Sequence, residues 1–310
     1  MHRYIVRRLL QMIPVIILVS IIIFLIMHAL PGDPARLMLS GAEGGAVSTE
    51  RIQELHKQMG LDDPLIVQYL RFVTNAARGD FGESIRLRTP VSELILGRFA
   101  STLSLAFMGL GFSLLIGLTF GILAAIKQNS FIDTLGMAFS YLGVSMPVFW
   151  LGLILIFVFS FELGWFPPAG GSGLRALILP GLTLGFASAG IVSRLTRSSL
   201  IEVLGEDYIR TARSKGLREK GVITVHALKN AMIPVVTMVG LQFGLMLAGA
   251  VVTETVFSRP GLGRLIVQAI LWKDYPLIQG SILFLSVIYL FVNLLVDISY
   301  AWLDPRIHYK

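Results

Sequence analysis

The stretch that organises this chain runs from residue 207 to residue 234. It opens with Asp207-Tyr-Ile-Arg-Thr-Ala-Arg-Ser-Lys-Gly216 and closes with Lys229-Asn-Ala-Met-Ile-Pro234. It is polar and basic and separates two long apolar runs, so we expect it to lie in water at a membrane surface. Its first half predicts a short helix that ends at Gly216, the residue type favoured in the left-handed position after a helix. Its second half has apolar residues at helical spacing and predicts a helix that ends before Pro234.

The composition excludes an ordinary soluble domain. Of the 310 residues, 55% are hydrophobic and 15% are charged, and the mean hydropathy is +0.75. Apolar runs of about twenty residues or more can each cross roughly 30 Å of hydrocarbon as a helix. The predicted fold class is therefore an all-α integral membrane protein. The absence of cysteine excludes disulfides, thiolate metal sites and a cysteine nucleophile.

The net charge of +7 is distributed unevenly along the chain. Segments 1–8, 127–133, 194–229 and 304–310 hold 14 Lys and Arg against 6 Asp and Glu, and the rest of the chain sums to −1. Basic residues concentrate in the cytoplasmic loops of membrane proteins. The surplus therefore predicts that these segments, including both termini, are cytoplasmic, and it argues against nucleic-acid binding.

Six membrane-spanning helices are predicted. The first follows Arg3, Arg7 and Arg8 and is too long for the apolar core of a signal peptide. The spans lie at about 9–30, 99–126, 134–161, 177–193, 234–257 and 277–303.

This pattern predicts three parts. Residues 1–94 hold the first span and an extracytoplasmic helical segment, residues 95–303 form the transmembrane core with a cytoplasmic loop at 194–233, and residues 304–310 form a cytoplasmic tail.

Residues 35–95 are the one soluble-looking region. Ser48 is expected to cap a first helix there, and Asp63, followed by Pro64, to cap a second one that reaches about Ala77. The segment is either an external platform for a partner protein or a lid that covers the helix bundle.

A helix too short to span the membrane is predicted between Pro260 and Pro276. Apolar residues recur there at positions i, i+3, i+4, i+7 and i+8, which predicts an amphipathic helix lying on, or dipping into, the outer end of the bundle. These residues are Leu262, Leu265, Ile266, Ala269 and Ile270.

The sequence carries no motif for chemistry. It lacks the Gly-x-x-x-x-Gly-Lys-Ser/Thr phosphate loop and the His-Glu-x-x-His and Gly-x-Ser-x-Gly motifs. Its histidines lack the spacing of a metal site; they are His2, His28, His56, His226 and His308. We therefore expect no cofactor, metal or catalytic residue on this chain, and an intramembrane enzyme is disfavoured.

Polar residues inside the spans are candidates for function. Glu254 and Asp297 lie near the ends of their spans, so we expect both to reach the interface without a dedicated partner. Asn293 shares a helical face with Asp297 and Tyr300, which indicates either a structural polar cluster or a place on a transport path.

Pro147 breaks the third span, which places either a path-lining break or an accommodated kink there. The candidate path-lining residues are Ser145, Pro147, Gln242 and Asn293.

Glycines are frequent in the second and fourth spans. They favour close approach between helices, with flexibility during transport as the alternative. They are Gly109, Gly111, Gly117, Gly121, Gly181, Gly185 and Gly190.

Ala212, Gly216 and Ile233-Pro234 resemble the cytoplasmic "EAA" loop of ABC importer permeases, although Arg210 and Thr211 stand where that motif has its acid and first alanine. The whole chain resembles the B-type permease of dipeptide, oligopeptide, glutathione and nickel importers. The other stretches that carry this resemblance are Tyr4 to Leu10, His28-Ala-Leu-Pro-Gly-Asp-Pro34, Gly79-Asp-Phe-Gly82, Arg194-Leu-Thr-Arg-Ser198, Asn230 to Gln242 and Pro260-Gly-Leu-Gly-Arg264.

The resemblance implies a permease with the type I importer fold in the bacterial cytoplasmic (inner) membrane, forming half of a path for small peptides by alternating access. It implies four kinds of partner: a second homologous permease, two ABC ATPase subunits that bind ATP and Mg²⁺, an extracytoplasmic substrate-binding protein, and membrane lipid.

The resemblance also implies two sets of site residues. The loop that couples to the ATPases would use Asp207, Tyr208, Arg210, Thr211, Ala212, Arg213, Lys215 and Gly216. The outer segment, as a binding-protein contact or outer gate, would use Arg259, Pro260, Gly261, Leu262, Gly263 and Arg264.

Two other functions compete with this one. A stand-alone secondary carrier or channel would need a coupling-ion site at the bilayer midplane, whereas the ionisable residues lie at the ends of the spans. A membrane assembly subunit without a path would leave the helical cytoplasmic loop unexplained.

Overall fold

The structure is a computed structural model that describes residues 2–29, 49–59, 62–171 and 173–303. The predicted all-α fold is confirmed. The helices, numbered in chain order, are α1 (His2–Ala29), α2 (Thr49–Met59), α3 (Leu65–Ala77), α4 (Val91–Ile126), α5 (Phe131–Ser145), α6 (Val148–Ile156), α7 (Arg175–Leu204), α8 (Asp207–Ser214), α9 (Glu219–Val256), α10 (Leu262–Trp272) and α11 (Tyr275–Leu303). A π-helical turn, Phe157–Glu162, extends α6, and another, Val222–Ala227, lies within α9.

Five of the described helices, α1, α4, α7, α9 and α11, are long and apolar enough to cross a membrane. Helices α5 and α6 count as a sixth span if the pair crosses as one, although they are bent by 106° relative to each other. The break falls at Met146 and Pro147, both with extended backbone, because the proline ring disfavours helical backbone in the residue before it. The predicted break at Pro147 is confirmed, and it is far sharper than an accommodated kink.

The prediction that the helix of the second half of the loop ends before Pro234 was wrong. Helix α9 runs through Pro234 without a break. The ring removes one backbone hydrogen bond, but Ala231 and Val235 on either side are buried, so side-chain packing holds the helix together.

The chain divides into two compact units. Of the described residues, those within Thr102–Arg259 and from Phe291 to Leu303 form unit 1, and those within His2–Ser101 and Pro260–Leu290 form unit 2.

The core of unit 2 buries the apolar face of α10 against the start of α4 and of α11. It consists of Val91, Ile95, Leu262, Leu265, Ile266, Ala269, Leu277 and Ile278. Most of the predicted apolar face of α10 therefore packs against protein, whereas Ile270 is 53% exposed. Asp274 is fully buried at the turn into α11, where its carboxylate accepts hydrogen bonds from the Ser84 hydroxyl (2.5 Å) and the Arg86 amide (3.1 Å).

Glycines in unit 1 allow α7 to touch its neighbours. A methyl group on Gly185 would lie 2.3 Å from the Gly109 carbonyl oxygen of α4, and one on Gly190 would lie 2.5 Å from the Ser140 carbonyl oxygen of α5. These separations are too short for any side chain, so the predicted packing role is confirmed at both crossings. Gly111 has open space and takes no part.

Two predictions about individual acids were wrong. Asp63 does not cap α3: Pro64 occupies the cap position, and the Asp63 carboxylate instead pairs with Arg71 at 2.6 Å. Glu254 does not reach the interface: it is fully buried and accepts a hydrogen bond from the Thr102 hydroxyl at 2.5 Å, because the facing helix α4 supplies a partner. The predicted cap at Ser48 lies outside the described residues.

Candidate coupling site

The loop between α7 and α9 is built around the short helix α8. Gly205 ends α7, and Glu206 has an extended backbone and a carbonyl that accepts from the Ile209 and Arg210 amides. Eight residues are too few for a helix that is stable alone. Its stability must come from tertiary packing.

The packing of α8 comes from one face. Ile209 is fully buried and Ala212 is nearly so, in a cluster that we call the loop cluster. Its members come from the end of α4, the end of α7, α8 and the start of α9: Ala125, Leu200, Ile209, Ala212, Val222, Ala227 and Ala231. The π-helical turn supplies Val222 and Ala227, which it turns inward. Helix α8 is therefore packed against the ends of three long helices, α4, α7 and α9.

The predicted stop at Gly216 is confirmed. Helix α8 ends at Ser214, and Gly216 has φ +75°, with its amide donating to the Arg213 carbonyl oxygen at 3.0 Å. A side chain here would meet no atom within 4 Å, so the glycine is required by the backbone conformation and not by space.

The other face of α8 is exposed and polar. It presents Asp207, Tyr208, Arg210, Thr211, Arg213 and Lys215.

Two contacts brace this face within the chain. The Asn230 amide donates to the Tyr208 hydroxyl at 2.8 Å, and the Arg213 guanidinium makes two hydrogen bonds to the Glu219 carboxylate, at 2.7 and 3.2 Å. The bond to Glu219 raises the pKa of Arg213. Arg210 lies 3.4 Å from Asp207 in an exposed pair.

A further ion pair joins α7 to the first turn of α5. The Arg197 guanidinium donates to both carboxylate oxygens of Asp133, at 2.5 and 2.7 Å. Asp133 is 5% exposed and also accepts from the Asn129 amide at 3.0 Å. Sequence reasoning missed this pair because 64 residues separate its partners, and although Arg197 lies in the stretch Arg194–Ser198, nothing local to it indicates Asp133. Arg213 was predicted as a coupling-loop residue, but its pairing with Glu219 across the Gly216 turn was also missed.

The outer-segment residues differ widely in exposure. In unit 1, the Arg259 amide donates to the Glu254 carbonyl oxygen, its guanidinium donates to Ser104 at 3.2 Å, and burial lowers its pKa. In unit 2, Gly261, Leu262 and Gly263 are buried, Arg264 is half-buried and Pro260 is exposed. Half of the six outer-segment residues, Gly261, Leu262 and Gly263, are therefore inaccessible to a partner protein.

The four candidate path residues also fall in different settings. Ser145 and Pro147 are exposed at the bend between α5 and α6, whereas Gln242 is buried and donates to the Ser188 hydroxyl of α7 at 3.0 Å. The Asn293 side-chain oxygen is buried without a hydrogen-bond partner within the described ranges. In those same ranges, no group of three His, Asp or Glu side chains could hold a metal ion.

The sequence matches two family models. One, described as "Binding-protein-dependent transport system inner membrane component", matches residues 117–309, and one described as "Binding-prot-dependent transport system membrane comp, N-term" matches residues 1–106. The chain is also 47% identical over 310 residues to the "Glutathione transport system permease protein GsiC" of Salmonella paratyphi A and to the protein of that name in Escherichia coli (strain K12), covering 100% of each chain.

Solved structures share the fold. An inward-facing MetNI methionine ABC transporter matches with a TM-score of 0.58 at 17% identity, over 68% of this chain and 96% of that one. An amino acid ABC transporter matches with a TM-score of 0.53 at 18% identity, over 68% and 94% of the two chains.

Proposed function

Because the chain belongs to the family of binding-protein-dependent transport system inner membrane components and is a permease subunit of an ABC importer, we propose that it forms half of a translocation path for small peptides such as glutathione or dipeptides. The observation that carries this cargo class is the full-length similarity to permeases named for glutathione transport. As a permease, the chain is a transport component and not an enzyme.

The proposed assembly has four further subunits. ATPase and substrate-binding subunits accompany a permease of this class. We propose that two ATPases, which carry ATP and Mg²⁺, lie on the cytoplasmic side, and that a second, homologous permease completes the path.

The chain is a multi-pass inner-membrane protein. We propose that both termini and α8 are cytoplasmic, because the basic surplus falls on that side. Cysteines placed singly at Ser214 and Glu83 of this cysteine-free chain test the orientation. An impermeant thiol reagent applied to intact cells should label Glu83→Cys and spare Ser214→Cys; the reverse result would invert the orientation.

We propose that energy enters through α8. Closure of the ATPases would displace its exposed face, and Ile209 and Ala212 would carry that displacement into the loop cluster, and so into the ends of α4, α7 and α9. The Asp133–Arg197 pair would extend the movement to α5, because a bidentate pair with one nearly buried partner resists separation. Alternating access would follow as these helix ends move together.

The function is tested by uptake. Cells that lack their own glutathione and dipeptide importers, supplied with this permease and the genes adjacent to it, should accumulate labelled glutathione or a labelled dipeptide. Uptake should disappear when the ATPase subunits are omitted. Uptake that persists without the ATPases would overturn the proposed coupling, and accumulation of neither compound would overturn the proposed cargo class.

A further inference from the structure

Helix α3 exposes a group of neighbouring aliphatic side chains. Ile66 is 73% exposed, Val67 43% and Leu70 56%, and no residue of α3 is buried. A helix that packs on a protein in water does the opposite, with its aliphatic side facing inward. We call Ile66, Val67, Leu70 and Thr74 the outer face of α3.

The side of α3 that touches protein is polar and aromatic. Its partner is α1, in the same unit: the Tyr69 hydroxyl lies 2.9 Å from the Ser20 hydroxyl. The Phe24 ring lies 5.5 Å from the Tyr69 ring and 6.4 Å from the Phe72 ring. Helix α3 therefore uses hydrogen bonds and ring stacking to hold α1 and leaves Ile66, Val67 and Leu70 uncovered.

These contacts lie well inside the apolar length of α1. Phe24 precedes the last residue of α1, Ala29, by five positions, which is about 7.5 Å along a helix, and Ser20 lies about 13 Å from that end. Half of the hydrocarbon layer is about 15 Å thick. The middle of α3 thus lies beside the part of α1 that is expected to contact lipid tails.

The polar groups near the outer face are satisfied in ways that suit an apolar medium. The Thr74 hydroxyl donates to the Leu70 carbonyl oxygen at 2.8 Å, within its own helix. The Arg71 guanidinium reaches back to the Asp63 carboxylate, before the start of α3. Gln68 donates to the Asp63 carbonyl oxygen and lies 3.1 Å from His28, near the C-terminal end of α1. The Arg71–Asp63 pair therefore lies towards that end of α1, where water begins.

The outer face also continues an existing apolar surface. Among residues 5–29, whose exposure is described, only Ser20, Ile23 and Phe24 of α1 are buried. Exposed aliphatic residues surround them, namely Leu18, Ile22, Leu25 and Ile26. As α1 is long and apolar enough to span the bilayer, these residues are placed to face lipid.

We propose that α3 is inserted in the membrane, with its outer face against lipid acyl chains in the leaflet at the C-terminal end of α1. Helix α3 is then neither a water-exposed platform for a partner protein nor a lid that covers the helix bundle. Its inside-out arrangement follows from the medium, because lipid solvates aliphatic side chains and leaves polar contacts to hold helices together.

The test measures what surrounds the outer face. Single cysteines at Ile66 and Leu70 would carry a nitroxide spin label, with Leu25→Cys on α1 as the lipid reference and Lys127→Cys in a turn as the water reference. The full-length chain would be extracted in polymer-bounded discs of native membrane, so that accompanying subunits and lipid stay in place. Collision with oxygen, which partitions into lipid, is compared with collision with a water-soluble nickel chelate.

Both labels on α3 should give oxygen-to-nickel ratios in the range of the Leu25 label and several-fold above the Lys127 label, with Leu70 deeper than Ile66. Ratios near the Lys127 label would mean that the outer face contacts water and would overturn the proposal. Low collision rates with both reagents would mean that another protein covers it, which would overturn the proposal equally. The measurement needs no transport, so its outcome is independent of the cargo.

Discussion

Helices α3 and α8 are both short, amphipathic and attached to longer helices, yet they are oriented in opposite ways. Helix α8 buries Ile209 and Ala212 and exposes its charges, whereas α3 exposes Ile66 and Leu70 and makes its protein contacts through polar and aromatic groups. The same amphipathic pattern therefore does not fix which face meets protein. The surrounding medium decides, with water around α8 and, by our proposal, lipid around α3.

The largest effect is expected from placing a charge in the loop cluster. Ile209→Asp would bury a carboxylate without a partner, at a cost of several kcal/mol, so α8 should detach from the helix ends. Transport should be lost and the 207–230 region should become protease-sensitive, while membrane insertion stays normal. Ile209→Leu is the matched control and should retain most activity. Normal transport in Ile209→Asp would show that α8 does not depend on its buried face.

The second effect concerns the turn after α8. Gly216→Val forces a β-branched residue to φ +75°, at a cost of about 1–2 kcal/mol, without any clash that would add to it. We expect ATP hydrolysis to be uncoupled from transport, or the ATPase subunits to be released. Asparagine tolerates this backbone region, so Gly216→Asn should behave nearly like the native protein. Equal damage from both variants would mean that position 216 acts through a contact that needs glycine and not through backbone conformation.

The third prediction compares the same substitution at equivalent positions of α3 and α8. Thr74 of α3 and Thr211 of α8 are both exposed, and both hydroxyls donate to the carbonyl four residues earlier. Thr74→Lys should lower stability by about 1 kcal/mol, because a lysine near the edge of the hydrocarbon keeps part of its insertion cost even when it snorkels. Thr211→Lys faces water and should leave the thermal midpoint of the full-length chain unchanged. Equal thermal midpoints for the two variants would contradict the proposal that α3 lies in lipid and α8 in water.

Sequence patterns predicted the features that depend on local chemistry. The break at Pro147 follows from the proline ring, the stop at Gly216 from its tolerance of positive φ, and the close helix crossings from Gly185 and Gly190. Each of these features depends on one residue type at one position, so it can be predicted from a single sequence.

What the sequence could not predict depends on partners distant in the chain. The burial of Glu254 depends on Thr102, 152 residues away, and the Asp133–Arg197 pair spans 64 residues. The passage of α9 through Pro234 depends on packing that local propensity does not contain. The inside-out face of α3 was missed because its pattern is equally compatible with a helix lying on a protein in water.

The smallest effect, and the finest test of the α8 surface, concerns Arg213. Its two hydrogen bonds to Glu219 join partly exposed side chains, and such pairs contribute about 0.2–1 kcal/mol. Lysine keeps the charge but cannot make the two-pronged contact. If Arg213 serves only to brace the loop, Arg213→Lys and Glu219→Gln should each weaken transport slightly, and the double variant should be no worse than either single one.

The double-mutant cycle separates this brace from a contact with an acidic ATPase surface. In the latter case, Arg213→Lys should reduce transport as much in the Glu219→Gln background as in the native chain, because the relevant partner lies on another subunit. We expect the first pattern, because the Arg213 guanidinium is already hydrogen-bonded to Glu219. The coupling energy between the two substitutions, measured at low salt, should then shrink as the ionic strength rises. A loss in Arg213→Lys that is additive with Glu219→Gln would instead assign Arg213 to the docking surface of α8.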